Sequence, residues 1–200
     1  DRSIICKPEL DFQPTHKDLN AAATGAHSLL VNSPNNPTGV VYDKLTWEAI
    51  AKTCQDHDLW LISDEVYDTQ VWQGKHISPR SLNDMIKRTL VIGSMSKSHA
   101  MTGSRIGWIC GPESVVEHLI NLATHTTYGV PGYIQDAADF ALNQGIAAEL
   151  EVAAPFRRRR KIAMDLIGGQ NVVRAVPCSG AMYMMLDIRA TGLSGEAFAH

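Results

Sequence analysis

Three apolar runs in the first half of the chain each stop abruptly at a polar cluster. Residues 28–32 read Ser-Leu-Leu-Val-Asn and give way to Ser33-Pro-Asn-Asn-Pro-Thr-Gly39. Residues 59–62 read Leu-Trp-Leu-Ile and end in Ser63-Asp-Glu-Val-Tyr67. Residues 89–93 read Thr-Leu-Val-Ile-Gly and end in Ser94-Met-Ser-Lys97. The first run predicts a strand followed by a turn, and the second, repeated in pattern by the third, a parallel strand buried on both faces. Between the first two runs, Trp47, Ile50, Ala51 and Cys54 follow the i, i+3, i+4, i+7 spacing, with Asp43 placed to cap the start. That spacing predicts an amphipathic helix lying on one face of a sheet. The class is α/β with a mostly parallel sheet. Ligands of such sheets sit outside the carboxyl ends of the strands, so the three polar clusters are expected to converge.

The remaining pattern is simpler. Residues 2–6 form a strand-like run closed by Pro8, and 17–24 an Ala-rich helix. Residues 105–110 read as a strand, 113–124 as a helix with Val116, Leu119, Ile120 and Ala123 inward, and 133–142 as a second helix. After a break at Gly145, residues 147–167 predict a long helix interrupted at Pro155, where the missing N–H must kink or restart it. Residues 172–176 and 181–187 read as strands around a Pro177-Cys-Ser-Gly180 turn, where a second, smaller domain begins. No internal repeat or low-complexity tract is visible.

Composition narrows the function class. With 44% apolar and 20% charged residues among 200, the chain lies far from disordered or collagen-like composition. A net charge of −3 gives no bulk reason to seek nucleic acid or an anionic membrane, so the expected partner is a small molecule or another protein. No apolar run approaches the roughly 20 residues a spanning helix needs, and the start is not a signal peptide. A chain that opens on Asp1 and stops at Ala-Phe-Ala-His, inside a helical pattern, reads as an excerpt of a longer one. Cys6, Cys54, Cys110 and Cys178 lack metal or disulfide spacing and read as reduced core thiols of a cytosolic protein. The eight histidines show no ligand spacing, and no metal site is expected. The basic run Arg157-Arg-Arg-Arg-Lys161 spreads around a helix and reads as a solvated face.

Chemistry concentrates in the strand-end clusters. Ser94, Ser96 and the planar fork of Arg105 form a donor set suited to a phosphate. Lys97, beside that cationic group and away from bulk water, can act as an amine for Schiff-base formation. The plainer alternative is a solvated loop with a surface lysine and a serine cap. Asp64 is either a cap or the counter-ion of a buried cation, and Tyr67 faces the same crevice if the intervening turn is helical. Asn36 is a turn residue or a polar contact in that crevice.

Asn36-Pro-Thr-Gly39, Asp64-Glu-Val-Tyr67, Ser94-x-Ser-Lys97 and Gly103-Ser-Arg105-Ile-Gly-Trp108, in this order, resemble the pyridoxal-phosphate aminotransferases of fold type I, class I/II. The resemblance extends over essentially the whole chain. It implies that Lys97 forms the Schiff base with the cofactor and moves the substrate proton. By the same likeness Asp64 keeps the pyridine nitrogen protonated, Tyr67 and Asn36 hydrogen-bond the 3-oxygen, and Ser94, Ser96 and Arg105 clamp the phosphate. Asn36-Pro37 is then expected to be cis. The stretches 96–103, 128–136 and 187–193 are most similar to arginine–pyruvate aminotransferases. His99 is either near the cofactor or a packing residue.

The resemblance divides the chain into residues 1–145, the latter part of the cofactor-binding large domain, and 146–200, an interdomain helix and the start of a small α+β domain. It implies a cytoplasmic homodimer acting on an amino acid and a 2-oxo acid, with Tyr128 and its neighbours reaching toward the partner. The family's upstream phosphate loop, ring-stacking aromatic and carboxylate-gripping arginine have no match here. Arg174 and Arg189 do not match that arginine. Two alternatives share these residues: a lyase performing β-elimination with the same cofactor, and a non-catalytic regulator domain that retains the fold.

Overall fold

The apolar runs become β1 (Ser28–Asn32), β2 (Trp60–Asp64) and β3 (Thr89–Ser94), three parallel strands hydrogen-bonded in that order. β4 (Gly107–Cys110) adds antiparallel to β3 and completes a four-stranded, mostly parallel sheet. The structure is a computed structural model describing residues 2–168 and 170–200. Its register sets Asn32 opposite Asp64, Asp64 opposite Ile92, and Ser94 opposite Gly107. The carboxyl ends of the three parallel strands are therefore neighbours.

Two helices cover one face. In α1 (His16–Ala23) the Thr15 hydroxyl caps the Asp18 amide, and in α2 (Lys44–Asp56) the Asp43 carboxylate accepts from the Thr46 amide at 2.7 Å. Trp47, Ile50 and Cys54 of α2 are fully buried, in one cluster with Leu19, Val31 and Leu61. Burying a side chain of this size contributes about 1.5–3 kcal/mol. The opposite face is different: Leu30 is 68% exposed and Trp60 38%. β2 alternates between buried and more exposed positions, so among the described residues it buries one face and not the two expected of residues 59–62.

Other departures have equally local causes. Residues 2–6 form no strand and have no ladder partner among the described residues; Arg2 donates to the Ala22 and Thr24 carbonyls. α4 (Glu113–Thr126) has no fully buried residue, and Ile120, expected inward, is 61% exposed. After α5 (Gly132–Asn143), the long helix α6 (Ile146–Ile167) continues through Pro155 as one element, although proline supplies no amide there. The expected strands shrink to a two-residue antiparallel pair, β5 (Arg174–Ala175) and β6 (Leu186–Asp187). A short helix, α7 (Gly195–Ala199), follows. All four cysteines are free, but only Cys54 and Cys178 are buried, and Cys110 on the edge strand is exposed. Among the described residues no helix is long and apolar enough to cross a membrane.

Candidate active site

The strand-end clusters do converge. At the end of β1, the Asn32 amide group and the Ser33 backbone amide both donate to the Asp64 carbonyl at 3.1 Å, joining the ends of β1 and β2. Asn32 Oδ1 accepts from the Asn36 backbone amide at 2.8 Å, which fixes the turn carrying Asn36. Both Ser33-Pro34 and Asn36-Pro37 are cis, the second as expected. On the other side, the Glu65 amide donates to the Ile92 carbonyl at 2.9 Å and ties the end of β2 to β3.

Asp64 is half-buried, with Oδ1 accepting from the Val66 amide at 3.2 Å. The chain then makes a turn rather than a helix, and Tyr67 is buried with its hydroxyl 2.6 Å from that of Tyr183. The two rings stand edge to face, centroids 5.6 Å apart. Asn36 Nδ2 donates to the same Tyr183 hydroxyl at 3.3 Å. Burial foremost, then the bond to Tyr183, holds the Tyr67 phenol above the ordinary tyrosine range; the Asp64 charge adds to this and the Asn36 amide opposes it.

Lys97 approaches from the third strand. It lies in α3 (Met95–Ser98), a single turn capped by the Ser94 hydroxyl, which accepts from the Ser96 amide at 3.1 Å. Gln70 Nε2 donates to the Lys97 carbonyl at 3.2 Å, and Lys97 Nζ lies 5.9 Å from the centroid of the Tyr67 ring. Among the described residues this amine has no hydrogen-bond or ion-pair partner. β3 can reach this position because Gly93 faces Trp108: a Cβ there would fall 2.3 Å from the indole.

Arg105 adopts a left-handed backbone (φ 52°), a conformation costing an L-residue about 1–2 kcal/mol. Its side chain is exposed and spends one Nη1 bond on the Thr102 carbonyl at 2.9 Å. The Ser94 hydroxyl donates to the Ile106 carbonyl at 3.2 Å, so it can donate to an anion only by releasing that carbonyl. The serine-cap alternative is thus true of Ser94, while Lys97 is half-buried and not a surface lysine. His99 packs beside Ser98 through Nδ1 at 2.8 Å, with Nε2 buried and without a partner. Arg189 pairs with Asp187 at 2.7 Å and Glu9 at 3.0 Å, away from these groups.

Tyr183, Asn32 and Gln70 are absent from the residues singled out in the sequence. Tyr183 reads there as one strand residue of a smaller domain. Instead, residues 178–183 return to the sheet: the Gly180 amide donates to the Gly39 carbonyl at 2.7 Å, the Ala181 amide to Gln70 at 2.8 Å, and the Trp72 amide to Ser179 at 2.7 Å. Gly39 permits this contact, with φ 72° and no room for a side chain. The basic run shares in it. Arg160 Nε donates to the Cys178 carbonyl at 2.6 Å and Arg157 lies over the Trp72 ring at 5.6 Å, so only part of that run is a solvated face. A Pro-x-x-Gly turn between apolar residues signalled the reversal of direction; nothing local signalled its docking site.

The chemistry of this donor set fits an aromatic aldehyde bearing a phosphate. It offers one unpartnered primary amine, one carboxylate at the adjoining strand end, a phenol–amide pair, and a serine hydroxyl with a guanidinium to meet an anion.

Comparisons with known proteins agree with that fit. The family model described as aminotransferase class I and II matches residues 3–200. The chain is 45% identical over 197 residues to the arginine–pyruvate transaminase AruH of Pseudomonas aeruginosa, covering 98% of this chain and 50% of that protein. It is 36% identical to the aspartate/prephenate aminotransferase of Thermus thermophilus, over 90% of this chain and 47% of the relative. Among solved structures, the aromatic aminotransferase of Pyrococcus horikoshii superposes with a TM-score of 0.90 at 32% identity, covering 96% of this chain and 52% of the other. The chain spans about half the length of the curated relatives it matches.

Proposed function

The chain belongs to the class I and II aminotransferases, and on that premise we propose that it carries the lysine-bearing part of a transaminase moving an amino group from an L-amino acid to a 2-oxo acid. Pyridoxal 5′-phosphate is the cofactor of this family. When bound, it supplies an aldehyde that condenses with amines and a ring that accepts the electron pair released at the substrate's α-carbon.

The other tasks fall to this chain's side chains. Lys97 Nζ would tether the aldehyde at rest; once displaced by substrate, the free amine would take the proton from the substrate's α-carbon as general base and deliver it to the former aldehyde carbon as general acid. Asp64 holds the ring nitrogen protonated by placing a carboxylate beside it. Tyr67 and Asn36 donate to the ring oxygen. Ser96 and Arg105 bind the phosphate, and Ser94 joins them by releasing Ile106 while its cap fixes the turn that aims Lys97. The observation that carries the reading is the free Lys97 amine over the Tyr67 ring, next to the strand end that bears Asp64.

Arginine as donor and pyruvate as acceptor make the finer form of the proposal, supported by the 45% identity to AruH. The boundary between residues 145 and 146 belongs to it as well, supported by the separate β5–β6 pair, as does the cytoplasmic homodimer, supported by family membership. The test offers arginine, aspartate, methionine and aromatic donors with pyruvate or 2-oxoglutarate to the purified protein. New alanine from pyruvate, fastest with arginine, is expected. Ammonia released without a new amino acid would overturn transamination in favour of elimination.

A further inference from the structure

Tyr183 is the one described side chain whose hydroxyl meets both Tyr67 and Asn36. The donors can be counted. An amide nitrogen only donates, so Asn36 Nδ2 occupies a lone pair of the Tyr183 oxygen. The 2.6 Å bond between the two phenols can then run either way. If Tyr67 donates, its proton is spent on Tyr183 and none remains for a ligand. If Tyr183 donates, the Tyr67 proton is free, and a chain from Asn36 through Tyr183 to Tyr67 polarises it outward. An anionic oxygen beside Tyr67 selects the second direction. The groups that face Tyr67 in this structure are Asp64, Asn36, Lys97 and Tyr183.

We propose that Tyr183 is a positioning residue: its hydroxyl, held by Asn36, donates to Tyr67 and turns the Tyr67 proton toward the ring oxygen of the bound cofactor. This rests on the aminotransferase reading of the Lys97 site. It gives residues 178–183 a catalytic consequence beyond packing, since the hydrogen bonds from the Gly180 and Ala181 amides to the Gly39 and Gln70 carbonyls, and from the Trp72 amide to the Ser179 carbonyl, fix the backbone that presents Tyr183. Losing the Tyr183 hydroxyl frees Tyr67 to rotate, weakens its donation to the ring oxygen, and tightens the hold on the proton shared between that oxygen and the Lys97 nitrogen.

The experiment compares wild type, Tyr183→Phe, Tyr67→Phe and the double variant as purified, cofactor-loaded protein, reading the pH midpoint of the bound cofactor's visible absorbance alongside kcat and KM. Tyr183→Phe keeps the edge-to-face ring contact and removes one oxygen. The expected result is a midpoint raised by about half to one pH unit and a kcat lowered about tenfold, with KM nearly unchanged. In the Tyr67→Phe background the same substitution should do nothing more. Tyr183→Met, a second hydroxyl-free variant, should move the midpoint in the same direction if the Phe variant is unstable. An unmoved midpoint in both variants, or a Tyr183→Phe effect that persists in full without the Tyr67 hydroxyl, overturns the proposal. A wild type with no pH-dependent cofactor band reducible by borohydride defeats the aminotransferase reading itself, a distinct result.

Discussion

A Cβ on Gly39 would stand 2.6 Å from the Cys178 Cβ and 3.0 Å from the Tyr183 carbonyl. The turn after β1 is therefore shaped to receive the segment that carries Tyr183. Gly39→Ala combines a left-handed backbone with a clash and should destabilise the protein by about 2–4 kcal/mol. Gly74 has a similar φ of 77° but open space around it, so Gly74→Ala should cost only about 1–2 kcal/mol. Denaturant titration of both variants measures the difference; equal losses would contradict the close approach.

The basic run separates by position. Arg160 holds the Cys178 carbonyl, whereas Arg158 is exposed and makes no polar contact among the described residues. Arg160→Ala should cost about 1–2 kcal/mol by leaving that carbonyl without its donor. Arg158→Ala should stay within about 0.5 kcal/mol of wild type. Thermal unfolding of the two variants side by side checks the contrast.

Burial raises the phenols of both Tyr42 and Tyr67 above the ordinary tyrosine range. The native state therefore holds protons that the unfolded chain gives up near pH 10, which makes unfolding progressively easier above that value and leaves stability below it untouched by these groups. Absorbance near 295 nm should show Tyr42 and Tyr67 still protonated in the folded protein at a pH where they have ionised in the unfolded chain. Full ionisation of all five tyrosines before any loss of fold would contradict the burial of Tyr67.

Period and punctuation made much of this molecule legible in its sequence. β1 begins and ends where the apolar run does, and Asp43 caps α2 as its position suggests. The strand-end clusters were legible for the same reason: a parallel sheet brings its carboxyl ends together by construction. What the pattern misjudged depends on neighbours far along the chain. Trp60 reads as two-faced core but lies on an open face, and residues 2–6 read as a strand but have no ladder partner among the described residues. Tyr183 was illegible because its contacts with Asn36 and Tyr67 depend on where the Pro177-Cys-Ser-Gly180 reversal docks. That docking is set by backbone groups at Gly39, Gln70 and Trp72 together with the side chains of Trp72, Arg160 and Ser179, none of which reveals its distant partner in the sequence.

The central claim is that Lys97 is the amine that holds the cofactor. The most direct measurement is borohydride reduction of the purified protein loaded with pyridoxal phosphate, followed by proteolysis and mass mapping of the modified lysine. The account predicts one dominant label, on Lys97, and no stable label in Lys97→Ala, together with loss of turnover. A dominant label on another lysine, or a Lys97→Ala protein that transaminates at the wild-type rate, would contradict it.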